Sequence, residues 1–150
     1  MAVGDFAADV AARAASHGVS LVARGEIAWL SGKGHLNPAA AAAPSEVINR
    51  LREMHSALGG RGDLLASKRP MACRVDFLLG SQTIVEVDEY QHFSSQRLAT
   101  LKLYSQLPNT IDVLLYQRLC EENKTRADRY RATKEAPDFP FPGGRTAQRA

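Results

Sequence analysis

Cysteine, tryptophan and long apolar runs are what this 150-residue sequence has least of. Its two cysteines, Cys73 and Cys120, lie far apart, which argues against a disulfide scaffold or a cysteine-based zinc site; reduced, buried thiols are expected. No stretch approaches the ~20 consecutive apolar residues that a membrane span needs. The opening MAVGDFAADVAARAASHG starts without Lys or Arg and carries Asp5 and Asp9, so it does not read as a signal peptide. An intracellular protein, cytoplasmic or nucleoid-associated, with no membrane partner is the expectation. Net charge is also scarce: +3 is too small to imply nucleic-acid binding by itself.

What is present is ordinary for a globular chain, with 45% hydrophobic and 23% charged residues. One domain is expected over 1–150: an N-terminal extension at 1–43, a core at 44–116, and a basic helix and irregular tail at 117–150. Alanine-rich residues 4–17 predict an amphipathic helix stopping at His17-Gly18, and 19–23 and 26–30 predict short strands about Gly25. The stretch EVINRLREMHSALGG repeats apolar Val47, Ile48, Leu51, Met54 and Leu58 at helical spacing, with Ser45 as N-cap and Gly59-Gly60 as stop. Residues 60–70 predict a polar loop. Ser94-Ser95 predicts a helix start, with Leu98, Leu101 and Ser105 facing inward. Residues 111–116 (IDVLLY) predict a strand and 117–133 a polar helix. The expected class is α/β, a mixed β-sheet flanked by helices.

The most informative segment is CRVDFLLGSQTIVEVDEYQHF at 73–93. Two runs rich in Val, Ile, Leu and Phe, 73–79 and 83–88, predict neighbouring strands of a hairpin. They carry Asp76, Glu86 and Asp88, and a carboxylate on a core strand costs several kcal/mol, roughly, unless a counter-charge meets it. A divalent metal is the simplest counter-charge. Strand parity adds a condition. A two-residue Gly80-Ser81 turn, which the Gly-Ser pair favours, sends Asp76 and Glu86 to opposite faces; a three-residue loop from Gly80 to Gln82, or a bulge, puts them on one face.

The pattern resembles the PD-(D/E)XK, or restriction-endonuclease-like, nuclease superfamily. The resemblance implies a core of helix, strands, helix and strand, in which an Asp and a Glu on adjacent strands ligate Mg2+. Asp76 and Glu86 match those positions. A Lys two residues after the Glu is usual there; here Asp88 departs from that pattern. EVDEYQH at 86–92 looks like the branch containing the very-short-patch-repair endonuclease and its small relatives, many of which carry Glu-x-Asp and a His four residues on. His92 fits that place, and Glu46 matches an acid that this branch often uses near the metal. The resemblance covers roughly residues 44–116.

A metal held by two carboxylates lowers the pKa of bound water and stabilises charge on phosphate oxygens, which is what phosphodiester hydrolysis requires. The metal ligands expected are Asp76, Glu86 and Asp88, with Mg2+ as cofactor and Mn2+ as substitute. His92 is a residue type that can take or give a proton at neutral pH. Arg97, Lys102, Arg126, Arg129 and Arg131 fall in a basic second half suited to a phosphate backbone. A metal-dependent DNA endonuclease is the leading expectation, with a second copy of the chain as an optional partner. The alternatives are a non-catalytic nucleic-acid-binding module of the same fold, and a ribonuclease or structure-specific nickase. Each residue also has a structural alternative. Asp76 and Glu86 could pair with Arg74 or Lys102, and Asp88 could end a strand. His92 could be a turn histidine, and Glu46 the favourable acid of a first helical turn.

Overall fold

Alanines with apolar residues at helical spacing form the first element, α1 (Val3–Ser16), in a computed structural model that describes residues 3–38, 42–81, 83–104, 111–130 and 132–150. It ends where Gly18 takes a left-handed φ of 76° and the His17 and Gly18 amides turn back onto the Ala14 and Ala15 carbonyls. The described residues divide into two compact units, Met1–Gly32 with Pro70–Val87 and Lys33–Arg69 with Asp88–Ala150. The 44–116 stretch expected as one core is thus shared between them.

The first unit is α1 with five short strands: β1 (Leu21–Ala23), β2 (Glu26–Ser31), β3 (Ala72–Arg74), β4 (Phe77–Leu79) and β5 (Thr83–Val85). One sheet has the order β1-β4-β5 and the other pairs β2 with β3. Every described pairing between strands is antiparallel, where a mixed sheet was expected. The run 73–79 is not one strand but two, interrupted at Val75 and Asp76. Its register is nonetheless continuous: Leu21 faces Leu79 and Ala23 faces Phe77 before the break, Glu26 faces Arg74 and Ile27 faces Cys73 after it. Through the break the backbones stay tied, Arg24 N–H to Asp76 O at 2.7 Å and Val75 N–H to Gly25 O at 3.0 Å. The two chains therefore kink together without slipping.

The kink has its cause in the paired strand. A Cβ at Gly25 would meet the Leu78 Cβ at 2.9 Å, so the close approach needs glycine there. The left-handed turn falls on the preceding residue instead, and Arg24 has φ 55°. For a non-glycine residue that conformation costs about 1 kcal/mol. Among the described residues Ile27, Val75 and Phe77 are the buried hydrophobic side chains of this unit, with Phe77 only 1% exposed.

The second unit is helical. A 3-10 turn (Gly34–Leu36) precedes α2 (Ser45–Ala57), which starts one residue earlier than a Ser45 cap implies: Pro44 occupies the cap position and no side chain caps it. Its end is a Schellman motif, with Gly59 at φ 81° and the Gly60 and Gly59 amides bonding the His55 and Ser56 carbonyls. The expected loop at 60–70 contains a short helix, α3 (Gly62–Ser67), because Leu64 and Leu65 supply an apolar turn and Leu65 is buried. A 3-10 turn (Tyr90–His92) leads to α4 (Ser95–Tyr104). Ser94 Oγ accepts the Arg97 amide at 3.1 Å and Asp128 accepts the Ser95 amide at 2.9 Å, which caps α4 twice. Ser105, expected on its inner stripe, lies outside the described residues.

The expected strand 111–116 is instead the start of α5 (Val113–Arg129). Asp112 is its N-cap, accepting the Leu115 amide at 2.9 Å. Val113, Tyr116 and Cys120 recur at helical spacing and pack with Leu98, Leu101 and Phe93 into one core cluster, while Leu114 is 78% exposed. The tail, expected to be irregular, holds the bridge Ala136–Phe139 and α6 (Gly144–Arg149). Ala136, Phe139 and Ala147 form a second cluster with Leu58 and Phe141. Gly144 is obligatory there, since a Cβ would stand 1.9 Å from the Phe139 carbonyl oxygen. No helix among the described residues is long and apolar enough to cross a membrane.

Candidate functional site

In the first unit the β4–β5 register decides which carboxylates share a face. Leu79 pairs with Thr83, Leu78 with Ile84 and Phe77 with Val85. Three residues therefore connect the strands, not the two that Gly80-Ser81 suggests; Gly80 has φ 63°, and Gln82 lies outside the described residues. Carried one step past the ladder, the register sets Asp76 opposite Glu86, on the face of Leu78 and Ile84 and away from buried Val75 and Phe77. The Val87 amide donates to Asp76 Oδ2 at 2.9 Å, tying that carboxylate to the strand it faces.

Both carboxylates are exposed to solvent. The burial penalty that led from sequence to a counter-charge is therefore not present at Asp76 or Glu86, because water solvates them. What remains is their placement: two acids on one open face.

In the second unit Asp88 and His92 form a relay. His92 Nδ1 lies 2.9 Å from Asp88 Oδ1, and Tyr116 Oη donates to Asp88 Oδ2 at 2.6 Å. An ionised carboxylate has no proton to give, so toward an ionised Asp88 it is Nδ1 that donates. The 3-10 turn Tyr90–His92 carries His92, and the two side chains meet across four residues of sequence. Tyr116 reaches Asp88 from the first turn of α5, its ring edge-on to Phe93 at 6.0 Å. The hydrogen bond to Asp88, then burial, then the Asp88 charge hold its hydroxyl pKa above the usual tyrosine value, so Tyr116 stays a donor. Tyr116 was not recognised from sequence because its segment reads as a strand.

The remaining expected residues have varied settings. Glu46 is exposed in the first turn of α2, where the helix dipole favours an acid. Arg97 donates to the Ala150 carbonyl at 2.7 Å. Arg126 lies over the Tyr90 ring, 3.8 Å from its centroid. Arg129 is exposed in the last turn of α5 and Lys102 is exposed on α4; Arg131 lies outside the described residues. Among the described residues no group of three His, Cys, Asp or Glu side chains is placed to hold a metal ion.

One polar cluster went unnoticed in the sequence. Asp138, whose side chain is 4% exposed, accepts from Lys68 Nζ at 3.1 Å and Gln148 Nε2 at 2.9 Å, with His55 Nε2 at 3.7 Å. His55 Nε2 is buried without a hydrogen bond, its ring edge-on to His35 and Phe139. Burial, more than the opposing pull of Asp138, keeps the His55 pKa below its ordinary value. Burial and the charges of His55 and Arg52 do the same to His35.

Compared with known proteins, the chain matches no family model, no curated protein and no solved structure.

Proposed function

We propose that this chain is a metal-dependent endonuclease acting on DNA, with a restriction-endonuclease-like catalytic hairpin of the PD-(D/E)XK kind. The observation that supports it most is the β4–β5 register, which brings Asp76 and Glu86 opposite one another on an exposed face. Two carboxylates suit Mg2+, or Mn2+ in its place, since magnesium takes few protein ligands and keeps waters. When bound, the ion acts as Lewis acid toward a phosphate oxygen and activates water. Asp76 is held for this by the Val87 amide through one oxygen, and its other oxygen has no described partner. Asp88 is assigned to orienting His92, because both its oxygens already accept hydrogen bonds. Proton transfer is assigned to His92, and Tyr116 holds Asp88 in place by donating to its carboxylate.

Plasmid cleavage in Mg2+, Mn2+ and EDTA tests the reading. Wild-type protein should cut with metal only. Asp76→Ala should abolish cutting with the fold retained, and His92→Ala should slow it by roughly 10²–10⁴. Full activity of Asp76→Ala, or no cutting by wild type with either ion, overturns it. The Asp88 found where this superfamily usually has lysine favours a second reading, a non-catalytic nucleic-acid-binding module. DNA binding without cleavage in the same metals would select it.

A further inference from the structure

The kink between the paired strands opens a cleft of about 450 Å3, lined by Arg24, Glu26, Arg74, Val75 and Asp76. We propose that this cleft seats a phosphodiester of the nucleic-acid backbone, with Arg24 as its anion-binding residue. The inference deepens the nuclease reading, on which its assignment of substrate rests, by naming how a phosphate is held beside Asp76.

Three observations carry it. Arg24 stands directly opposite Asp76 in the continuous register, its amide bonded to the Asp76 carbonyl, and both line the cleft. Arg24 also adopts a left-handed backbone that glycine or asparagine would adopt more readily, a kind of strain that clusters at functional sites. No described hydrogen bond or ion pair of the fold uses its guanidinium. Arg74 differs: it also lines the cleft, but its Nε is paired with Glu26 at 3.0 Å. The two arginines and the two acids cancel in formal charge, so the cleft repels a phosphate little, and a divalent cation at Asp76 would make it attractive. A planar guanidinium suits phosphate because it offers two parallel N–H donors.

The backbone strain makes the test unusually discriminating. Wild-type protein, Arg24→Gly and Arg24→Lys are compared by fluorescence anisotropy on a fluorescein-labelled 20-base-pair DNA duplex and its RNA counterpart, in EDTA and in Ca2+, alongside thermal melts. Arg24→Gly should bind about tenfold more weakly, as expected for losing a hydrogen bond to a charged group, with a salt slope lower by about one. Its melting temperature should rise by about 2–4 °C because the strain is relieved. Arg24→Lys should keep the wild-type melting temperature and recover part of the affinity. Wild type should bind more tightly in Ca2+ than in EDTA. Unchanged affinity of Arg24→Gly, a fall in its melting temperature, or failure of wild type to bind either duplex overturns the proposal. Arg24-dependent binding with no plasmid cleavage would overturn the hydrolytic reading and leave the cleft assigned. Cleavage that persists with unchanged Arg24→Gly affinity would do the reverse.

Discussion

Asp76 and Asp138 are the same side chain in opposite circumstances. Asp76 stands in water beside a kinked strand, held by one backbone amide. Asp138 is sealed among Lys68, Gln148 and His55, 3% exposed as a residue. The first unit keeps its charges outside and strains its backbone at Arg24; the second buries a charge and surrounds it with partners. An acid that water already solvates is available to a ligand, whereas an acid with a full set of buried partners is committed to holding its segment in place. Chemical activity is thus to be sought where the polar groups are least satisfied by the protein itself.

The sharpest way to break this contrast is to delete each acid. Asp138→Ala should cost about 3 kcal/mol in urea unfolding, because Lys68 and Gln148 lose their shared acceptor. Asp76→Ala should cost less than about 1 kcal/mol while removing metal-dependent cleavage. Equal stability losses would show that exposure is not what separates them.

A smaller effect is expected at the Asp88 relay. Tyr116→Phe keeps the ring packed on Phe93 and removes only the hydroxyl, so stability should fall by about 1 kcal/mol. Cleavage should slow by less than His92→Ala slows it, since Tyr116 acts through Asp88; a rate loss as large as that of His92→Ala would make Tyr116 a direct participant.

The gentlest effect is a slope. His35 and His55 have folded pKa values below the ordinary histidine value, so below about 6.5 the unfolded chain binds protons that the folded chain refuses. Stability should therefore be full above that pH and decline as pH falls from there toward the folded values. Melts from pH 8 to pH 5 check this, and His55→Gln should flatten the curve. A stability gain on acidification would mean that the Asp138 attraction outweighs burial.

Local pattern made much of this visible beforehand and distant pairing hid the rest. The helices at 3–16 and 45–57 follow from repeated apolar spacing. Asp88 and His92 are legible as candidate residues, but their pairing depends on the 3-10 turn at Tyr90–His92, which the local pattern does not announce. The break at Val75 and Asp76 is imposed by Arg24 and Gly25 from a segment some fifty residues earlier, so no window around residue 76 contains its cause. The run 111–116 is too short for its period to separate strand from helix, and Asp112 as an N-cap was the overlooked signal. Three prolines and two glycines made the tail look irregular, although Ala136, Phe139 and Ala147 bury it and Lys68 anchors Asp138 across seventy residues. The hairpin loop reversed the usual Gly-Ser preference because the strand faces, one buried and one wet, set the register more strongly than the turn did.

Cys120, with no exposed surface between α4 and α5, has a further consequence. Burial above all raises its thiol pKa, so in the native protein it is both shielded and protonated, and alkylating reagents attack the thiolate. Its modification must wait for those helices to part. In a Cys73→Ser background the chain would carry its own stopwatch, each alkylation at Cys120 marking one opening of that helix pair.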